Sequence, residues 1–454
     1  MSELPKGWKI IRLRDEATSI KGKKPKILEL DLADGLVPYI DIKAFEKGIL
    51  TKYASPDAGV NADEIDTLMV WDGARSGLVG NGVHGVIGST LVKIKPKFSH
   101  HSYLHYFLRS KYSYVNSNTK GTGIPHVDPA KLWELDYPLA PINEQIRIVN
   151  KLDSILARVN KAQARLDKIP AILKRFRQSV LAAATSGELT KEWRNNQDYN
   201  QVIINNLDDE NDSYNVWSKS KNKKIPEGWL YCKLYQLGKI QGGGTPSKSK
   251  DEYWNGEIPW VTPKDMKIDF IANSKLTVTS KGVDESSAKL IKDGSVMFVV
   301  RGMILAHSFP VAINEKVVTV NQDMKCITPS DFVDSKYLLF SLKSLKDLFV
   351  ELASSSTHGT KRLESKMYRN VAISIPPMNE QIEIVKQVES LFMMADTLEK
   401  KYLGAKSRLD RLTSSILAKA FRGELVPQNG KDEPAEELLK RIKAESPKVK
   451  RNKK

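Results

Sequence analysis

From Ile148 onward, apolar residues recur in alternating steps of four and three, at Ile148, Leu152, Ile155, Val159, Ala162, Leu166, Ile169, Leu173, Phe176 and Val180. A seam held over that length points to a long paired helix. The apolar stripe of an ordinary surface helix rarely keeps phase beyond ~25 residues. The same steps return 236 residues later, at Ile384, Val388, Leu391, Ala395, Leu398, Tyr402, Ala405, Leu409, Leu412 and Ile416, every one apolar or aromatic. Two matched seams in one chain pair most economically with each other, so the pattern predicts an intramolecular antiparallel coiled coil. Its expected seam includes Leu152, Ile155, Val159 and Leu166 from the first copy and Val388, Leu391, Leu398 and Leu409 from the second.

The text around the seams is also written twice. "NEQIRIVNKLDSI" begins at Asn143 and "NEQIEIVKQVESL" at Asn379, while "QSVLAAATSGEL" at 178–189 and "SSILAKAFRGEL" at 414–425 keep the same offset of 236. The helical block therefore has no insertion or deletion between its copies. Upstream, "LPKGW" at Leu4 and "IPEGW" at Ile225 lie only 221 residues apart. The length difference falls in the modules between, which show little similarity to each other. The plan is a tandem duplication with pseudo-twofold symmetry, since two copies are too few for a solenoid. The expected boundaries are a first module at 1–142, a helical spacer at 143–189, a linker at 190–224, a second module at 225–378, a second spacer at 379–426, and a C-terminal helix with a basic tail at 427–454.

Local signals refine the spacers. Asn143 reads as an N-cap, with acid and amide groups in the first turn, and Gly187 and Gly423 read as C-caps. Pro170 occurs in the first copy only. It removes a backbone hydrogen bond at a cost of ~3 kcal/mol, which predicts a kink or a break. Unbroken, Ile148 to Val180 would span about 48 Å, comparable to about 14 base pairs of duplex.

The two modules mix strand-like runs with turn chemistry. "GVIGSTLVKIKP" at 85–96 and "GSVMFVVRG" at 294–302 read as strands, and "HHSYLHYFLRSKY" at 100–112 and "SKYLLFSLKSLKDLFVEL" at 335–352 as helices, so each module belongs to the α+β class. The 190–224 segment is polar, contains "DDEND", and reads as a linker with room for a short helix. "PAEELLKRIKAE" at 434–445 puts Leu438, Leu439 and Ile442 on one helical face, suited either to a partner or to this protein's own core.

Charge narrows the partner class. The chain of 454 residues carries 71 Lys and Arg against 54 Asp and Glu, a formal net charge of +17. That excess favours a polyanion, nucleic acid first. The tail "KVKRNKK" adds to it as a contact arm. Cys232 and Cys326 lie far apart, which fits a reducing cytoplasm and no paired-cysteine metal site. Neither a signal peptide nor an apolar run of membrane-spanning length is evident.

Catalytic motifs are missing. "QGGGTPSKSK" at 241–250 lacks a P-loop's lysine placement and reads as a flexible loop. "IPPM" at 375–378 lacks both the polar first residue and the aromatic last residue of an amino-methyltransferase tetrapeptide. Pro56-Asp57 has no partner half of a nuclease motif. His101 and His105 lack the glutamate of a zinc-protease helix and read as structural. What remains suits binding. "WDGARSGLVGNGVHG" at 71–85 carries Arg75, Ser76, Asn81 and His84, while "TKGTGIPHV" at 119–127 and "SSSTHGTKR" at 354–362 occupy corresponding places before the two spacers. Glycine lets backbone approach phosphate, and Arg and Asn can hydrogen-bond base edges in pairs. The candidate DNA-binding residues are Arg75, Asn81, Lys120 and His126 in the first module and Lys264, Arg301, His358, Lys361 and Arg362 in the second.

The spacer phrases "PINEQIRIVNKLDSILARV", "ILKRFRQSVLAAATSGELT", "PPMNEQIEIVKQVESLF" and "SILAKAFRGEL", with the PxGW openings and "IPWVTPKDM" at 258–266, resemble the specificity subunit of Type I restriction–modification systems. The resemblance implies two target recognition domains, each reading half of a split, asymmetric DNA site, with the helices as a ruler between them. It implies no cofactor on this chain. Two modification subunits on the helices would methylate adenine N6 with S-adenosylmethionine, and restriction subunits would translocate and cleave DNA with ATP and Mg. Pro170, present in one copy only, is the departure from an even ruler. Two other classes stay open on the residues alone: a recognition protein with an unrecognised catalytic site, and a coiled-coil DNA organiser without sequence preference.

Overall fold

The first spacer starts at Ile142 and runs as a helix to Leu166. It is interrupted at Asp167 and Lys168 and resumes over Ile169–Ser186, with Pro170 in the first turn of the new helix. That is where proline costs least, because the first N–H groups of a helix have no intrahelical acceptor. The second spacer has no proline and is one helix of 43 residues, Met378–Ala420. The computed structural model of the chain describes residues 4–196, 216–220, 224–355 and 360–445. The "DDEND" stretch, the "KVKRNKK" tail and His358 lie outside the described residues.

The chain divides into two compact units, Met1–Asp167 with Leu403–Lys454, and Lys168–Tyr402. Each therefore combines one module with the first half of the spacer that follows it and the second half of the other spacer. In the first unit, Ile148, Leu152 and Leu156 of one spacer share a core with Ile416, Leu417 and Ala420 of the other. In the second unit, Val180, Leu181 and Ala184 share a core with Ile384, Val385 and Val388. The helices run antiparallel in both. Lys406 pairs with Asp167 while Gln428 reaches back to Glu144, and Arg177 pairs with Asp396 and Glu399 while Thr190 reaches Glu380.

The seam is narrower than its periodicity suggests. Ile155, Val159, Leu166, Leu391 and Leu409 are half-buried, whereas Leu398 is 53% and Phe176 37% exposed. Where Leu398 was expected to pack, Arg177 lies against the long helix instead. Its guanidinium donates to Asp396 at 2.6 Å and to Glu399 at 2.9 Å. Val149, Leu156 and Val385, off the seam, are buried against the modules. Near its module, each helix buries a broad face rather than a single stripe.

Among the described residues, each unit has two larger sheets besides two-stranded pairs such as Lys9–Arg12 with Asp136–Leu139 and Leu230–Lys233 with Ala372–Ile375. In the first, Ala17–Lys21, Leu91–Pro96, Thr67–Val70 and Val79–Asn81 lie side by side in that order, and Val37–Ile40 pairs in parallel with Gly85–Ile87 in a second sheet. In the second, the order Gly238–Gly242, Met324–Pro329, Val296–Val299, Val311–Asn314 repeats the plan with Phe270–Ile271 added at the edge, and Trp254–Val261 pairs in parallel with Thr319–Val320. The run expected as one strand at 85–96 is broken by a turn in which the Leu91 N–H returns to the Gly88 carbonyl. The helix expected at 335–352 is broken between Ser344 and Lys346.

The repeated phrases close each unit. Asn143 is not the N-cap, since Pro141 occupies that place and Asn143 lies inside the first turn. Glu144 and Gln145 instead point inward and are buried. Gln145 accepts from the His100 N–H at 2.8 Å and donates to the Ala140 carbonyl at 2.8 Å. Gln381 accepts from the Asp334 N–H at 2.8 Å and donates to the Pro376 carbonyl at 2.9 Å. Gly423 and Gly187 have φ of 75° and 78°. A Cβ on Gly423 would collide with the Pro5 ring, and one on Gly187 with the Pro226 ring, so the prolines of the PxGW phrases seat on the spacer ends. The C-terminal helix Ala435–Glu445 packs Leu439 into the first unit's core, and Asp432 just before it holds Arg147 at 2.6 Å, so it serves this protein's own core.

Candidate nucleic-acid interface

One loop geometry occurs in both units. In the first, the strand Thr67–Val70 runs into a loop at 71–77 that is stitched to the hairpin at 120–126. The Gly73 N–H donates to the Pro125 carbonyl at 2.7 Å and the Val127 N–H to the Trp71 carbonyl at 2.9 Å. In the second, the strand Val296–Val299 runs into a loop stitched to the strand Lys361–Arg362. The Gly302 N–H donates to the Lys361 carbonyl at 3.0 Å and the Leu363 N–H to the Val300 carbonyl at 2.8 Å. Gly73 and Gly302 share the positive φ this turn needs, 114° and 138°. Asp72 thus corresponds to Arg301 and His126 to Arg362, and both pairs form isolated antiparallel bridges.

The structure brings most of the expected residues onto these platforms. Lys120 bridges His126 through backbone and holds Asp128 at 3.0 Å, a hydrogen bond that keeps the Asp128 carboxyl below its usual range. His126 faces Asp72 at 3.6 Å, and Lys21 faces the other oxygen of Asp72 at 2.9 Å. Arg75 projects from the loop and reaches Glu46 at 3.2 Å. Arg301 lies 3.8 Å from Asp323, and Lys361 donates to the Ala353 carbonyl at 3.4 Å. The acids beside Lys21, Arg75, Lys120 and Arg301 leave these side chains half exposed or more, so the cations can exchange partners for phosphate or base.

Some residues fall elsewhere. Asn81 ends an edge strand opposite Thr67, and Lys264 lines a cleft of about 900 Å³ with Leu173, Lys174, Phe309 and Lys343; neither belongs to the stitched loops. Ser76 is buried, its hydroxyl donating to the Gly73 carbonyl at 2.6 Å within reach of the Trp71 and Pro125 carbonyls, so it builds the loop instead of reading through it. His105 is buried in the first core, which lowers its pKa to about 4. Burial pushes the Cys232 thiol up to about 12, leaving no thiolate for nucleophilic chemistry at neutral pH. Sequence reasoning missed Lys21, Asp72 and Asp323, whose signal is only their nearness in space. It also missed the inward role of Glu144, Gln145, Glu380 and Gln381, although the identical "NEQ" in both spacers carried it. Among the described residues, no helix is long and apolar enough to cross a membrane, and no three or more His, Cys, Asp or Glu are grouped to hold a metal ion.

Residues 5–171 and 226–404, more than half of the chain, match the Type I restriction modification DNA specificity domain. The Type I restriction enzyme EcoDI specificity subunit of Escherichia coli is 30% identical over 98% of this chain and 96% of its own length. The EcoKI specificity subunit of Escherichia coli strain K12 is 26% identical over 98% and 96%. Among solved structures, a chain described under complex assembly and conformational transition of the type I R-M system superposes with a TM-score of 0.67 at 19% identity, covering 93% of this chain and all of that one. The HsdS subunit from Thermoanaerobacter tengcongensis gives 0.52 at 19%, over 93% and 98%. The chain belongs to the family of Type I restriction–modification specificity subunits.

Proposed function

We propose that this chain is the DNA-reading subunit of a Type I restriction–modification complex in the cytoplasm, and that each unit's stitched-loop platform reads one half of a split double-stranded site. One observation carries the reading: two platforms share a backbone geometry but differ in side chains, Lys21, Asp72 and His126 in one and Arg301, Asp323 and Arg362 in the other. Equal frames with unequal hydrogen-bonding edges suit two unequal half-sites. The spacers fix the gap, and the exposed Ile172, Phe176, Met393, Met394 and Leu398 on them offer apolar surface to partner subunits. Two modification subunits would supply S-adenosylmethionine and methylate adenine N6 at the selected site. Restriction subunits would add ATP- and Mg-dependent translocation and cleavage.

The test is a genome methylation map from cells expressing this chain with its modification partner, paired with purified chain given S-adenosylmethionine and duplex DNA. A split motif in the map and no methyl transfer by the chain alone are expected. Methyl transfer by the isolated chain would instead identify it as catalytic. Equal affinity for random DNA would identify a non-specific organiser, because a sequence reader favours its site by ~10³ or more.

A further inference from the structure

The glycine-rich run "QGGGTPSKSK" belongs to no catalytic motif, and its sequence suggests a flexible loop. The structure shows a pinned one. A Cβ on Gly243 would collide with the Val320 carbonyl and one on Gly244 with Ser287, so the backbone lies hard against its neighbours. Two indoles also hold the loop. The Trp260 N–H donates to the Gly244 carbonyl at 2.9 Å and the Trp254 N–H to the Ser247 carbonyl at 3.0 Å, with the two rings edge to face at 5.1 Å. So fixed, the loop presents the Thr245 hydroxyl, which donates to Oε1 of Gln322.

Gln322 is the exposed tip of the turn at 321–323, between the strands Thr319–Val320 and Met324–Pro329. Its neighbours are tied by hydrogen bonds. Asn321 and Asp323 hydrogen-bond through their side chains at 3.2 Å, and the Asp323 carbonyl accepts from the Val300 N–H at 2.8 Å and the Arg301 N–H at 3.2 Å. The Asp323 carboxylate is also the group facing the Arg301 guanidinium. Gln322 therefore stands on the same platform as Arg301 and Arg362, with Oε1 turned by Thr245. An amide with a free donor and a fixed acceptor matches adenine's N7 and N6 edge in the major groove. A glutamine that rotates freely must be ordered on binding, and Thr245 does that ordering beforehand.

The first unit supports this by contrast. The same turn there is 88–90, with the Thr90 carbonyl accepting from the Trp71 N–H at 2.8 Å. Its exposed tip is Ser89, and Lys24 stands in sequence where the second half has Thr245, each followed by proline. The frame is shared while the amide and its hydroxyl partner belong to one half.

Resting on the DNA-reading function proposed above, we infer that Gln322 is a specificity-determining residue that reads a base edge in the half-site of the second unit, and that Thr245 is its positioning residue. The test is selection from a duplex library randomised at every position. The full chain is compared with Gln322→Ala, Thr245→Val and Thr245→Ser, with thermal melting of each. The unaltered chain should return a split motif. Gln322→Ala should lose preference at one position of one half by about 5- to 150-fold and leave the other half intact. Thr245→Val should weaken that same position, Thr245→Ser should restore it, and melting should hardly move. A Gln322→Ala motif identical to that of the unaltered chain overturns the inference and leaves the DNA-reading function standing. Loss spread over both halves, or a large fall in melting, overturns it in favour of a structural role. No motif from the unaltered chain overturns the parent reading and this inference together.

Discussion

Trp8 donates its indole N–H to Glu144 Oε2 at 3.0 Å, and in the other unit Trp229 donates to Glu380 Oε2 at 2.8 Å. Each carboxylate sits in the first turn of a spacer helix and is buried. The second oxygen of Glu144 accepts from Gln428 at 2.7 Å, and Glu380 Oε1 accepts from the Thr190 hydroxyl at 2.7 Å. Buried acids held this way tie a module's first tryptophan to its own spacer and to the segment after the other spacer. Trp8→Phe leaves one acceptor without its donor, at an expected cost of about 1–3 kcal/mol. Hydrogen exchange should rise across the first unit for Trp8→Phe and across the second for Trp229→Phe. Unchanged exchange in both would show that the pair contributes no stability.

The uneven seam gives a paired test. Leu152 is fully buried and Leu398 is 53% exposed. Leu152→Asp should cost several kcal/mol, because an unpaired charge in a core is expensive. Leu398→Asp should stay within about 0.5 kcal/mol, as surface changes do. Denaturant unfolding of both variants measures this. Equal losses would mean that Leu398 packs as its heptad position suggests.

His105 sets a pH dependence for the first unit. Burial foremost, and then Arg109, lower its folded pKa from the usual 6.5 to about 4, while Asp153 opposes them. The unfolded chain therefore binds the proton more readily. The stability tied to a neutral His105 is present above pH 6.5 and is lost as pH falls toward 4, by at most roughly 3 kcal/mol. Between pH 7 and pH 4.5, His105→Leu should lose less stability in urea than the unaltered chain. An identical pH slope in both would show that His105 is protonated without strain in the fold.

The duplication was legible because an unbroken offset of 236 and a sustained 4-3 spacing are properties of the letters alone. The break at Pro170 was legible because proline's cost is local. Leu398 and Phe176 were not. Periodicity reports which positions share a face, and it says nothing of an Arg177 that reaches across to Asp396 and Glu399. Pairings between distant segments were equally hidden: Asp72 with Lys21 and His126, or Gln322 with Thr245, are set by the two sheets of each module. The repeated "NEQ" was visible, but its helix-start chemistry suggested a cap, whereas burial made Glu144 and Gln145 internal braces.

Arg75 and Arg301 offer a matched test of the platforms. Arg75→Ala should cost about 1–3 kcal/mol of binding if Arg75 reads a base, and relax selectivity in one half-site only. Arg301→Ala should do the same in the other half. Binding to single-base variants of the site at two salt concentrations separates the outcomes, since a phosphate contact weakens all sequences equally and flattens the salt dependence. Unchanged affinity and selectivity would remove the residue from the interface.

The ruler lies at the centre of the account. Ala164 lies in the helix Ile142–Leu166, near the break that ends it. Four residues inserted after it add roughly 6 Å of helix, enough to shift one platform by about one to two base pairs. The deciding measurement is a methylation map of cells carrying the chain with and without that insertion, each with the modification partner. Both half-sites should keep their sequences while the gap between them lengthens by one or two base pairs. Methylation of the original site at its original gap by the inserted chain would contradict the account.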